Sequence, residues 1–360
     1  MLPAAGTVVP APEMPARPSP IQSRRGASTA TPSAQRQSPS ARAAQPTISG
    51  TIAPVADETT FASAVSATKT FGLGVKLTTA ERKNNLKELY GLGSRNASSF
   101  VDSKYEGSLS VEFEIANPWF LYAVLGATPS KEGGGPYTWT FAEANVPPSL
   151  TITNGINMST DAVIAYLGCV CTDCKISCDN DGAAHATMNF VYAKETKATS
   201  GISSQVAETE APFPFCYNTW DLGSSAIAST QSVEISIENN AELIFGLGSR
   251  LGTGPVFKQR SYKVSLVNQF SDASVYLEKV YGAATGPAAT QASSEVTTAH
   301  LILDNGLSST SQRKYTFTFS GLKFESDAIP QSLDEMITES VDGMAKSCSV
   351  TVINNTSAMP

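Results

Sequence analysis

The sequence predicts a mainly β protein built from two tandem, related domains, each with one short helix, behind a disordered N-terminal arm. Three observations lead there. After residue 55, segments that alternate or run apolar as strands do recur with turn residues between them. A block of twelve residues returns 155 positions later, a domain-sized spacing. The first 55 residues hold nine prolines by position 46 and no periodic apolar pattern.

The arm comes first in the chain. Its Pro, Ala and Ser content offers no core to offset the entropy of ordering, so residues 1–55 are expected to be flexible. They could form a passive linker, or an arm that orders on assembly or carries decoration. Beyond it the predicted strands of the first domain (56–208) are Phe71–Thr79, Leu86–Leu92, Tyr105–Ile115, Tyr137–Phe141, Ser149–Asn154, Val163–Ile176 and His185–Ala193. One helix interrupts them over Asn117–Gly126. Asn117 can cap the free amides, Pro118 suits the first helical position because it has no N–H to leave unpaired, and Gly126 suits a left-handed stop.

The second domain (209–360) follows from the repeat. Asn84–Arg95 and Asn239–Arg250 match at seven of twelve positions, sharing Gly-Leu-Gly-Ser-Arg. The flanks agree: Gly107–Val111 answers Tyr262–Leu266, and a capped helix recurs over Ser271–Gly282. A chance match would not bring the helix and its glycine stop along, so the chain reads as a duplication with its boundary near 205–212.

Charge is unevenly spread. Residues 1–50 hold five arginines (Arg17, Arg24, Arg25, Arg36, Arg42) and one acid, Glu13, so a net charge of −7 for the chain leaves the remainder at −11. An acidic body does not grip phosphate, since affinity for nucleic acid comes from Lys and Arg releasing counterions. It could still let DNA slide past. No apolar run approaches the roughly 18–20 residues that span a bilayer, and the N-terminus lacks the features of a signal peptide, so the expectation is a protein assembled in the cytoplasm.

Candidate sites are few. Two histidines, His185 and His300, leave little room for histidine chemistry. Gly91, Gly93, Gly246 and Gly248 superficially resemble phosphate-binding glycines but lack the third glycine and the strand-to-helix setting, so they read as backbone geometry. Arg95 and Arg250 read as local salt bridges or interface contacts. Ser177–Gly182 resembles the start of a calcium loop, yet Ser177 replaces the first acid and Met188 the bidentate Glu.

Cys169, Cys171, Cys174 and Cys178 fall within ten residues, with Cys216 and Cys348 elsewhere. On a regular strand the first two share one face and the last two the other, so they converge on a metal only if the chain bulges near Thr172–Asp173. Buried thiols, a late disulfide and a metal site all stay open. Asn96, Asn157, Asn354 and Asn355 head Asn-x-Ser/Thr sequons, which carry sugar only in a suitable host. No catalytic, cofactor or metal residue is assigned, and an enzyme is disfavoured.

Read in order, Tyr90–Asn96, Tyr105–Val111 leading into the Asn117–Gly126 helix, Pro136–Glu143, Leu167–Cys169 and the weaker second copy through residue 324 resemble the two-domain tail tube proteins of long-tailed phages and archaeal viruses. The resemblance covers about residues 56–355. It implies β-sandwich or half-barrel domains, each with a flanking helix, that close into rings. The rings stack around a tape-measure protein, meet tail terminator and baseplate or tip proteins, and conduct viral DNA without specific binding. It also makes 96–104 and 251–261 candidates for a loop docking on the next ring, against an ordinary hairpin connection. The long arm and the cysteine cluster depart from the family pattern. Two other readings stand beside it: an exported tandem β-sandwich adhesin or carbohydrate-binding protein, and a decoration or tail-terminator subunit of a virion.

Two expectations follow. The tube lumen should be net negative, with Glu106, Glu112 and Glu114 on one strand face as candidate wall residues, or else simply solvating an outer face. Six ring positions filled by two-domain chains would need three copies, giving a trimeric ring with pseudo-six-fold appearance.

Overall fold

The computed structural model describes residues 51–66, 68–156, 162–198, 208–223, 225–271, 275–290, 295–331 and 336–357. The arm through residue 50 and Asn157 lie outside these. The described residues belong to one compact unit, Pro46–Pro360.

Alternation builds the strands. Along β5 (Glu106–Glu114) every second side chain is buried, and β10 (His185–Tyr192) repeats the pattern, which the two-residue period of a strand demands of a sheet with one wet face. The first half runs β1 (Thr51–Asp57), β2 (Leu73–Lys83), β3 (Leu86–Tyr90), β4 (Ala97–Asp102), β5, α1 (Trp119–Leu125), β6 (Ser130–Glu132), β7 (Tyr137–Phe141), β8 (Leu150–Ile156), β9 (Ala162–Asp179), β10 and β11 (Lys194–Ala198). The second runs β12 (Thr219–Leu222), β13 (Ser225–Ala226), β14 (Thr230–Glu238), β15 (Ala241–Phe245), β16 (Gly252–Phe257), β17 (Ser261–Gln269), α2 (Leu277–Tyr281), β18 (Val296–Asp304), β19 (Lys314–Ala328), β20 (Thr338–Ala345) and β21 (Ser347–Asn354).

The fold is mainly β, and its pairing repeats. In the first half β1-β8-β9-β11 form one sheet and β2-β5-β10-β9 another. The second half answers with β12-β18-β19-β21 and β14-β17-β20-β19. In each half one long strand, β9 or β19, belongs to both sheets and turns the corner at a glycine with positive φ, Gly168 at 66° or Gly321 at 65°. A side chain is strained in that conformation, and a Cβ on Gly168 would also come within 2.9 Å of the Phe61 ring. Each half is thus a sandwich-like, open half-barrel. The core fills the space between its layers, with Phe71 stacking on Phe113 and Phe190 at 5.6 and 5.7 Å.

Smaller features recur too. In β9 a bulge leaves Thr172 unpaired, and in β19 a bulge leaves Glu325 unpaired. Asn85 and Asn240, which start the two hairpins, have φ of 44° and 49°, and Gly126 and Gly282 end α1 and α2 in the left-handed region. Asn117 does cap α1, its Oδ1 accepting the Trp119 N–H at 3.1 Å, while Pro118 sits one residue before the first helical position.

Two expectations need correction, and the condition set for the cysteine cluster is met. Residues 51–55, assigned to the arm, lie in β1, where Pro54 falls at a register shift between Ala53 and Val55 and so takes no ladder position that needs its missing N–H. Segments 96–104 and 251–261 are not loops, because β4 and β16 return along β3 and β15 as two-stranded hairpins. The bulge at Thr172 flips the strand parity, so Cys174 and Cys178 face the core together with Cys169 and Cys171.

Candidate functional site

The feature that organises the surface is a seam. On the side away from β10, strand β9 pairs with β14 through seven residue pairs, from Asp179↔Ser232 to Asp173↔Glu238. It thereby joins the two halves edge to edge into one sheet, β2-β5-β10-β9-β14-β17-β20-β19. Among the described residues strand β2 pairs only with β5, and the C-terminal part of β19 only with β20. The sheet therefore ends in two open edges, which are templates for further strands.

The seam is buttressed on the core side. Asn239 donates to the Val124 carbonyl of α1 at 2.9 Å, and Arg260 donates to Asn239 Oδ1 and to the Ala144 carbonyl. At the rim, hairpin β15–β16 leans across the seam. Leu243 packs with Leu167 and Ala193, and Arg250 donates to Asn84, Asp102 and Ser103 at 2.9–3.2 Å. Of the two roles expected for Arg250, the structure shows an ion pair within the chain, to Asp102. Its repeat counterpart Arg95 makes no ion pair or hydrogen bond among the described residues.

The hairpin tips expose large apolar side chains. Leu92 and Leu247 are fully exposed in the Gly-Leu-Gly turns, and Leu89, Tyr90 and Phe100 are exposed on β3–β4. Gly93 and Gly248 take φ of 78° and 88°, while Gly91 and Gly246 do not have positive φ. These glycines join antiparallel strands, which rules out a strand-to-helix phosphate loop at them.

A sandwich with two open edges and a continuous eight-stranded sheet is built to polymerise. The family model described as phage tail tube protein matches residues 47–345, most of the chain. The chain belongs to that family. No curated protein sequence matches it. As a phage tail tube protein it is a structural component of the virion tail, which assembles with itself into a tube and associates with other tail components.

Within the tail tube subunit, the sheet face away from the core is polar. Glu106, Glu112 and Glu114 lie on it, in line with Glu81, Glu234, Glu238 and Asp342. Lysines interleave: Lys76 lies 3.8 Å from Glu112 and Lys175 2.7 Å from Glu234. A hydrogen bond from Lys104 holds the Glu106 carboxyl below its usual range, and Lys263 does the same for Glu238 at 2.6 Å.

All six cysteines are free. Cys169, Cys171, Cys174, Cys178 and Cys348 are buried in the core and only Cys216 is exposed. Burial pushes all five buried thiols up, which makes them unreactive. From Cys169 to Cys178 an extended strand rises roughly 30 Å, too far for the four to share one ion. No group of three or more His, Cys, Asp or Glu is placed to hold a metal among the described residues. Asn354 is buried, whereas Asn96 and Asn355 are exposed.

Sequence reasoning passed over a pair of acids at the β19 edge. Asp327 faces the core side with both carboxyl oxygens buried, and Glu339 on β20 lies beside it, 2% exposed, so that each of these oxygens has only the other acid as a neighbouring polar group among the described residues. Burial raises both carboxyls, Glu339 to about 7 with Asp327 adding to the shift. The signal was present: after the Glu325 bulge, Asp327 occupies the position that Cys174 holds in the first copy. It becomes visible only once the bulge is known.

Proposed function

We propose that this chain makes the tube wall as rings of three copies, each supplying two of six quasi-equivalent positions, and that the tube encloses a tape-measure protein and later conducts viral DNA. The observation that carries this is the β9–β14 seam. A chain that already joins two equivalent four-stranded sheets edge to edge keeps the matching edges, β19 and β2, open at its ends. A ring closes when the last edge of one copy meets the first edge of the next. In this reading residues 56–208 and 209–360 are the two tube domains.

The polar sheet face would line the lumen. Acids outnumber lysines there, so the wall repels phosphate and adds little of the counterion-release affinity that would slow DNA. Hairpins β3–β4 and β15–β16 would dock on the neighbouring ring, covering Leu92 and Leu247. Terminator and tip proteins would cap the same ring surfaces at the two ends of the tube. Negative-stain microscopy of the purified chain tests this: hollow tubes of constant width are expected, and a protein that stays monomeric at all concentrations would overturn it.

A further inference from the structure

The seam inside the chain is apolar where the open edges are charged. On the core side of the seam Cys174 lies opposite Ile237, both buried, and at its rim Leu243 packs with Ala193. The repeat says which residues take these places at the open edges. Aligning the bulges at Thr172 and Glu325 puts Asp327 where Cys174 stands, and aligning β2 with β14 through β5 and β17 puts Arg82 where Ile237 stands. Likewise Glu88 answers Leu243. Lys346 answers Ala193: the Ala193 N–H donates to Leu167 and the Lys346 N–H to Ser320, both at 3.0 Å.

We propose that the β19 edge of one copy joins the β2 edge of the next in the register of the internal seam, keyed by two opposite-charge pairs, Asp327–Arg82 and Lys346–Glu88. The proposal rests on the ring reading above and names the contacts that close it. Asp327 then meets the cation that the free chain does not give it, since among the described residues its buried oxygens have only the Glu339 carboxyl beside them. Arg82 is ready to supply that charge. It holds Glu195 through Nε and the Tyr166 hydroxyl through Nη2, leaving Nη1 without a partner among the described residues. Lys346 and Glu88 are spread along the rim with the signs reversed, Lys346 on Glu295 and Glu88 accepting from Tyr90 in the free chain.

The charges have a physical reason. β19 ends at Ala328, so only Ser326, Asp327 and Ala328 would face Lys83, Arg82 and Glu81, against seven pairs at the internal seam. So short a ladder does not fix register by itself. Charge pairs do, because any slip leaves an ion buried without its partner. They also forbid self-pairing of like edges: β2 against β2 sets Arg82 near Arg82, and β19 against β19 sets Asp327 near Asp327.

The test uses the full chain and counts tubes by electron microscopy alongside thermal melting of the dissociated subunit. Arg82→Glu and Asp327→Arg alone should each cut tube yield at least about ten-fold, since like charges facing across a contact cost several kcal/mol. Both changes together in one chain should restore it. Glu88→Lys and Lys346→Glu, at exposed positions that do not disturb the core, should behave in the same way and decide the matter if an Arg82 variant fails to fold. Single variants that assemble like the parent would overturn the proposal, as would double swaps that melt like the parent yet form no tubes. If the parent chain itself forms no tubes, the ring reading fails first and the seam with it.

Discussion

Gly107 lies beneath the ring of Tyr192, where a Cβ would fall 2.1 Å from Cζ. The equivalent pair in the second half is Tyr262 opposite Ala345, large and small exchanged between the same two strands. This swap keeps the volume and weakens the repeat in residue-by-residue comparison, so the Gly-Leu-Gly-Ser-Arg turns carry most of its signal in the sequence. Gly107→Ala should therefore destabilise the subunit by about 1–3 kcal/mol through overpacking, measured by denaturant unfolding. Glu339 gives a pH signature. Its folded carboxyl titrates at about 7 against an ordinary 4.5, so its contribution is fully present below about 4.5 and lost as pH rises through 7. Glu339→Gln should raise the melting temperature of the dissociated subunit at pH 8 and leave it unchanged at pH 4. Equal shifts at both values would contradict the assignment.

Most of the seven strands expected in the first half are in place within a few residues, because one-sided burial writes itself as alternation. The strands that were missed, β1, β4, β6 and β11, include two with plainly weak signals: β4 is almost wholly exposed and has no core face to betray it, and β1 is interrupted by Pro54. The two helices show what a neighbour does. α1 buries six of its seven side chains, with Asn239 on its Val124 carbonyl, whereas no residue of α2 is buried. The next copy should cover α2 as the second half covers α1. Hydrogen exchange should then find 277–281 protected in tubes and not in the free subunit, and 119–125 protected in both. In the proposed tube the hairpin tips belong to stacking instead. Leu92→Ser and Leu247→Ser should change subunit stability by less than about 0.5 kcal/mol, as for other exposed positions, yet shorten or abolish tubes.

At the scale of the whole chain, the proposed ring would use the duplication to fill six positions with three chains, each bringing a finished β9–β14 seam and leaving β2 and β19 as the outer edges of the seam sheet. The repetition of the strand pairing in two halves was legible in outline from the 155-residue spacing. The register of the seam was not, since it depends on bulges at Thr172 and Glu325 that no composition or period reveals. Charge parity adds a check on the count: chains bearing Arg82→Glu mixed with chains bearing Asp327→Arg can pair only in alternation, so an odd ring stays open while an even one closes. The most direct measurement is cryo-electron microscopy of the assembled tube processed without imposed symmetry. The account predicts three chains per ring, both halves in the wall, and β19 of each chain running beside β2 of the next. Six chains per ring, or one half lying wholly outside the wall, would contradict it.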